Sequence, residues 1–416
     1  MDDIKNRINQ ANQQVLATLV GSQPVWVGCD HAINVIPGMT KNTILHAGPP
    51  IEWHRMCRPM QNGILGAIIF EELADDITQA EALIQSGEMI LAPCHDFSAV
   101  GGMTGVTSAT TPVAIVRNNK EGNTSFCGLH EGMQPKGLSW GNYDQETIDN
   151  LKWIRDEVSP TLDAGLKLSG GLGMSSLIAR SVLMGDEMHG RCVASTSLIT
   201  RELAPFLIHS GVSKDILKRV LEFLRVTDMF SLHIVMAAAK SMTDSIKNIP
   251  NSSVVTTMAR NGVDFGIKVS ALGDKWFIGP ASKINTVYFS PKWNDDVATP
   301  DIGDSSVVEV VGLGGLMHAG SPAQGYALGY TYSDSLRKTE DAYAFCAGEH
   351  KSWLIPTLDF RGVPLGIDIR KVVKTGITPI LDTATAHVDG GKIGIGEARA
   401  PMEAFTAALI AFREIV

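Results

Sequence analysis

The sequence predicts an α+β protein: two mixed α/β domains with a small helical bundle subdomain between them. Three observations carry this. The first half of the chain interleaves short apolar runs with helical periodicity, and residues 145–250 keep the helical period almost throughout. Beyond Pro250 the pattern turns to short β-rich runs separated by Asn-Gly and Gly-Asp turn signals. A chain of 416 residues is also longer than one ordinary core serves. The expected division is 1–190 as an N-terminal α/β domain with glycine-rich loops, 191–250 as a helical subdomain, and 251–416 as a C-terminal α+β domain.

Taken in order, residues 3–20 place Ile4, Ile8, Val15 and Leu16 at helical spacing, and "PVWVGCDHAINVIPG" follows as a strand and loop. "NGILGAIIFEELADDITQAEALIQSG" reads as a helix pair stopped at Gly87. "MILAPCHDF" reads as a short buried strand that carries Cys94, His95 and Asp96 to its end, and "TTPVAIVRN" as another strand. Asp144 is positioned to cap "YDQETIDNLKWIRDEVSPTLDAGL", a helix is expected from Met174, and Ser213 opens a run of two or three helices. Strands are expected in "SSVVTTMARNGVDFGIKVSAL", "KWFIGPA" and "VVEVVGLGG", and a final amphipathic helix over 401–416.

The formal net charge of -9 and pI near 5.7 exclude a basic nucleic-acid groove or an anionic membrane surface as the partner. Charged residues make up only 19% of the chain and the mean hydropathy is +0.08, which points to buried subunit contacts and a homo-oligomer or larger complex. The six cysteines lack C-x-x-C spacing, so reduced thiols of a cytoplasmic protein are expected rather than a zinc ribbon or dithiol centre. The N-terminus has no signal-peptide layout and no run approaches the length of a membrane span.

The densest chemistry lies in "APCHDFSAVGGMTG". Neighbouring residues of an extended strand point to opposite faces, so Cys94, His95 and Asp96 cannot form a relay among themselves; Cys94 and Asp96 would share one face. One reading makes His95 or Asp96 the acid/base, with the Gly101 and Gly102 amides binding an anion. The other makes Asp96 a turn cap and Cys94 packing. "LSGGLGMSSLIARSV" offers a helix N-terminus but neither the Walker pattern nor the dinucleotide fingerprint. In "MGDEMHGR", Asp186 and His189 stand at i, i+3 if the helix continues, which suits a carboxylate that orients an imidazole or a metal pair; otherwise this is a solvated helix end. No third ligand has recognisable spacing, so no metal and no other cofactor is expected, and if a metal binds, Asp186 and His189 are its ligands. "ASTSLITRELAPF" sets Ser195, Thr196 and Arg201 as a phosphate-type helix start or as a plain N-cap. Arg260, Arg370 and His387 sit beside glycine turns and are candidate anion ligands, each with a structural ion pair as the competing role. His209 and His233, on amphipathic helices, read as packing residues.

Together, "APCHDFSAVGGMTGV", "MGDEMHGR", "STSLITRELAP", "TTMARNGVDFGIKVS", "FRGVPLGIDIRKVV" and "GIGEARAPME" strongly resemble the YlbE/YahG-like family of bacterial proteins, over nearly the whole chain. Members of that family look like one subunit of a multi-subunit oxamate carbamoyltransferase of allantoin breakdown. The resemblance implies carbamoyl transfer between oxalurate and phosphate, giving oxamate and carbamoyl phosphate. It also implies a succinyl-CoA-synthetase-like partner subunit and a further small subunit. Such chemistry needs anion clamps, an oxyanion stabiliser and a proton carrier. Arginines and glycine amides would supply the first two and His95 or His189 the third. The rivals are a non-catalytic scaffold or small-anion binding subunit, and a metal-assisted amidohydrolase.

Overall fold

A computed structural model describes residues 2–129 and 137–416. Helix makes up 47% and strand 23%, the strands gathered in several small sheets, so the fold is α+β. The helix Asp2–Gly21 leads into the strand Pro24–His31, which pairs antiparallel with Pro112–Asn118 at the centre of a five-stranded sheet. Thr124–Gly128 and the short Ala99–Val100 extend one side and Leu172–Gly173 the other. Both faces are covered, by helices Ser159–Ser169 and Phe230–Asp244. Trp26 lies wholly buried against Phe230, with ring centroids 6.3 Å apart. The helices Val193–Ile208, Lys214–Val226 and Phe230–Asp244 therefore share one apolar core with this sheet, through Leu198, Val220 and Ile234.

The second half supplies an antiparallel sheet in the order Phe277–Pro280, Asp264–Val269, Val255–Asn261, Ile302–Gly303. The hairpin between its middle strands turns at Asn261-Gly262, where Gly262 has φ +82. The helix Met402–Arg413 lies on this sheet through Phe405 against Phe265. Beside it run Asn285–Tyr288, Lys392–Arg399 and Ile380–Ala386, antiparallel throughout, with Asp382 opposite Glu397. Asp144 and Ser213 cap as expected, accepting from the Thr147 and Ile216 amides.

Three local expectations need correction. "VVEVVGLGG" is a buried helical turn, Val307–Val310, running toward the 3-10 segment Gly314–Gly320; burial on all sides overrides the β-propensity of its valines. Cys94–Phe97 is a 3-10 turn beyond the strand Ile90–Pro93, so Cys94 and His95 are both buried while Asp96 points outward; the alternating faces of a strand do not apply. The helix Met174–Leu183 ends before Asp186, so Asp186 and His189 do not share a helix face. Among the described residues no helix is long and apolar enough to cross a membrane.

Candidate functional site: a cavity with a buried imidazole–carboxylate pair

A cavity of about 190 Å³ opens where sequence-distant stretches meet. Gly102, Met103, Ser139 and Trp140 come from the N-terminal third, His189 and Gly190 from the loop after Met174–Leu183, and Leu232 and His233 from the central helix. Ile302, Thr383, Lys392 and Ile395 close it from the C-terminal sheets, with Ser305 from the turn after Ile302–Gly303. Two non-glycine residues with positive φ, Met103 (φ 50) and Met188 (φ 62), lie in or beside the wall, the kind of local strain that gathers at working sites.

His189 Nδ1 lies 2.6 Å from Oε1 of Glu309. The carboxylate is itself fixed, because the same oxygen accepts from the Gly315 and Asp382 amides at 3.1 Å each. With Nδ1 engaged, Nε2 is the ring nitrogen left for the cavity that His189 lines. The wall also carries Lys392, with its ammonium 5.3 Å from the centroid of Trp140 and 5.8 Å from that of Phe289. Among the described residues no carboxylate pairs with it, and burial holds its pKa below the ordinary lysine value. A half-buried cation facing a cavity and paired only with ring faces is a ready partner for a small anion.

The backbone anion holes that glycine-rich loops suggest are filled by the protein's own carboxylates. Asp304 takes the Gly48 and Gly101 amides at 2.9 and 3.1 Å. Glu187 takes those of His189, Gly190 and Arg191. Asp186 takes the Ser195 amide and hydroxyl at the start of Val193–Ile208, where Cys192, not Ser195 or Thr196, is the N-cap. Burial drives the Asp304 carboxyl up to about 7 despite its two amide donors. Glu187 is pushed far above the carboxylate range by burial and by the charge of Asp382. These loops are thereby locked as walls.

Of the residues singled out in the sequence, His189 and Gly102 line the cavity. Arg260 sits behind it, fully buried and bidentate to Asp301 at 2.8 and 3.1 Å; Asp301 in turn accepts from Thr383, a cavity residue. His95 is buried between Trp276 and Asp304, 3.6 Å from the latter, and burial with the charges of Lys240 and Lys268 keeps its pKa well below the usual value. Asp96 pairs with Lys268 at 2.6 Å. Asp186 is buried, with Arg191 Nε 3.4 Å away. Arg201 is exposed and pairs with Glu202, Arg370 pairs with Asp368, and His387 lies 3.7 Å from Asp389; none of the three lines the cavity. His209 is exposed on its helix end, while His233, read as packing, is a cavity residue. Lys392, Glu309, Thr383 and Ser305 were missed. Glu309 had a usable signal: inside a valine run, it is the charged residue that an apolar turn would not hold without a partner.

Comparison with known proteins agrees along the chain. The profile of a family described as oxamate carbamoyltransferase subunit AllG matches residues 89–305. The chain is 41% identical over 413 residues to the uncharacterized protein YahG of Escherichia coli, covering 99% of this chain and 87% of that protein. It is 38% identical over 412 residues to the oxamate carbamoyltransferase subunit AllG of the same organism, covering 98% of each. A crystal structure of a conserved protein of unknown function from Enterococcus faecalis superposes with a TM-score of 0.97 at 40% identity, covering 99% of both chains.

Proposed function

This chain belongs to the YahG/AllG-like family, and from that premise we propose that its cavity is a small-anion site for carbamoyl transfer between oxalurate and phosphate. The observation that carries the reading is the pairing, in one cavity, of the Lys392 ammonium, which no carboxylate among the described residues partners, with an imidazole oriented by a buried carboxylate, His189 on Glu309. Lys392 holds an anionic oxygen of substrate. The phosphate oxygen attacks the carbamoyl carbon, and the bond from that carbon to the oxamate nitrogen breaks. Hydrogen phosphate gives up one proton in this exchange and the departing nitrogen gains one. His189 Nε2 carries it, accepting and then donating, while Glu309 holds Nδ1–H and stabilises the transient imidazolium. Ser305, whose hydroxyl oxygen accepts from Arg260 and keeps its own proton, supplies a neutral donor for the carbonyl oxygen that gathers charge, while Thr383, its proton given to Asp301, shapes the wall.

Several features support the wider setting. The relative named a subunit of oxamate carbamoyltransferase supports partner subunits; on this reading they are a succinyl-CoA-synthetase-like chain and a further small subunit, and this chain also self-associates. All six cysteines are free, five of them buried, as suits a reducing cytoplasm. The test is phosphorolysis of oxalurate by the complex assembled with those partner subunits, read as oxamate and carbamoyl phosphate. With assembly intact, His189→Gln should abolish or strongly reduce turnover, and Lys392→Met should strongly reduce it at substrate concentrations below its raised KM. Normal turnover in both variants moves the chemistry to a partner and leaves this chain a scaffold.

A further inference from the structure

Behind the cavity wall lies a second cluster that carbamoyl transfer does not use. Asp382 and Glu397 face each other across the strands Ile380–Ala386 and Lys392–Arg399, two residues along from the pair Ala384 and Ile395 that lines the cavity. Directly opposed side chains share a sheet face, and so do positions two apart. The carboxylates therefore share the face of Ala384 and Ile395, and the Asp382 amide donates to Glu309, the partner of the cavity residue His189. His318, from the 3-10 segment Gly314–Gly320, completes the group, with Nε2 2.7 Å from Asp382 Oδ1. One donor atom from each of the three residues lies within 4.8 Å of the others, and all three residues are buried.

Two further observations point to a missing cation. His318 Nδ1, Asp382 Oδ2 and Glu397 Oε2 are buried without a hydrogen-bond partner, and so is Oε2 of the neighbouring Glu309. Orphaned polar atoms rarely gather in one place in a native interior. The charge is also unbalanced. Four carboxylates, Glu187, Glu309, Asp382 and Glu397, are buried here against three basic partners: His189 on Glu309, His318 on Asp382 and Lys338 2.6 Å from Glu397 Oε1. Buried carboxylates in excess of their partners are neutralised by protons or by a metal.

We propose that His318, Asp382 and Glu397 form a site for a first-row divalent cation of the zinc or manganese class, set directly behind the cavity. One imidazole and two carboxylates suit such ions better than magnesium or calcium, which take oxygen donors. Three protein ligands leave a position for water or for a group reaching in from the cavity. Lys338 keeps Glu397 Oε1, leaving Oε2 for the metal. The site stands independently of the carbamoyl-transfer reading, since metal binding is measured without turnover.

The experiment uses the full chain purified without chelator. Elemental analysis should find Zn or Mn near one per chain, or the chelated protein should bind Zn²⁺ or Mn²⁺ once per chain by calorimetry and melt at higher temperature for it. Asp382→Asn and Glu397→Gln should each weaken that binding by at least on the order of 100-fold, the upper end of what losing only an outer-shell partner costs. Glu397 is the less buried of the two, so Glu397→Gln decides if Asp382→Asn does not fold. Absence of metal together with no binding of either ion by the chelated protein overturns the proposal. So does binding that a folded Glu397→Gln protein retains at full strength.

Discussion

His189 and Glu309 stand 120 residues apart in sequence and 2.6 Å apart in space, with the carboxylate fully buried and the imidazole at the cavity. The pair fixes one ring nitrogen as donor and leaves the other to carry protons. Glu309→Gln preserves shape but presents an amide that no longer holds the ring in that tautomer or stabilises its charged form. We expect turnover of the assembled complex to fall on the order of 10²–10⁴-fold, as when the orienting carboxylate of a catalytic triad is made an amide. KM for oxalurate should change far less. Steady-state kinetics on wild type and variant decide it.

Gly314 guards the same carboxylate by having no side chain. A Cβ there would sit 2.2 Å from Glu309 Oε1 and 3.1 Å from the His189 Cβ, and the backbone has φ +58. Gly314→Ala must therefore push Glu309 off His189 as well as strain the turn. We expect a lower melting temperature, by roughly 1–3 kcal/mol of stability, and a loss of turnover that resembles Glu309→Gln. A variant that melts early yet keeps full turnover would contradict the assigned role of the pair.

Lys392 acts through its charge, so Lys392→Met should raise KM for the anionic substrate on the order of 10–100-fold, equivalent to about 1.4–2.8 kcal/mol. Burial lowers the Lys392 pKa, so the empty site loses its positive charge below the pH at which an ordinary lysine would. Substrate affinity in wild type should accordingly fall as pH rises toward 10. The same pH series on Lys392→Arg, which stays charged, should be flat over that range.

Asp304 and His95, 3.6 Å apart, push stability in opposite directions as pH changes. The Asp304 carboxyl is raised from 3.8 to about 7, so the folded state holds a proton that the unfolded chain has released between those values. Its contribution is present at low pH and is lost as pH rises through 7, on the order of 4 kcal/mol across the window. His95 is depressed below 6.5, so its contribution is present above that value and is lost as pH falls. Asp304→Asn removes the first term and leaves the second. Urea melts at pH 7 and pH 5 should show the variant losing more stability on acidification than wild type does.

The sequence made the scaffold readable where periodicity and caps agree. Asp144, Ser213 and the Asn261-Gly262 turn each act as their residue types suggest. It misled where burial overrides propensity: Val307, Val308 and Val310 look like a strand and form a helical turn, and that turn is what delivers Glu309. Glycine-rich loops were legible as amide-presenting loops, but not that Asp304, Asp186 and Glu187 occupy the amides of Gly101, Ser195 and Gly190. Each of those carboxylates reaches its loop through tertiary packing or a local turn that no periodicity records. His189 was legible as chemistry and Lys392 was not, because a lysine declares itself only when the structure shows that none of the described carboxylates answers it.

The cavity wall has a temporal consequence. Lys392 and Ile395 belong to the last strand of the chain, and Gly102 to its first quarter. A ribosome releases the N-terminal wall long before the strand that carries the ammonium, so no nascent fragment holds the completed site. Ligand capture therefore requires that the strand Lys392–Arg399 has been made and has closed on the early loop. A molecule bound there fastens the late strand to the early loop, and amide exchange in Lys392–Arg399 should slow when it is present.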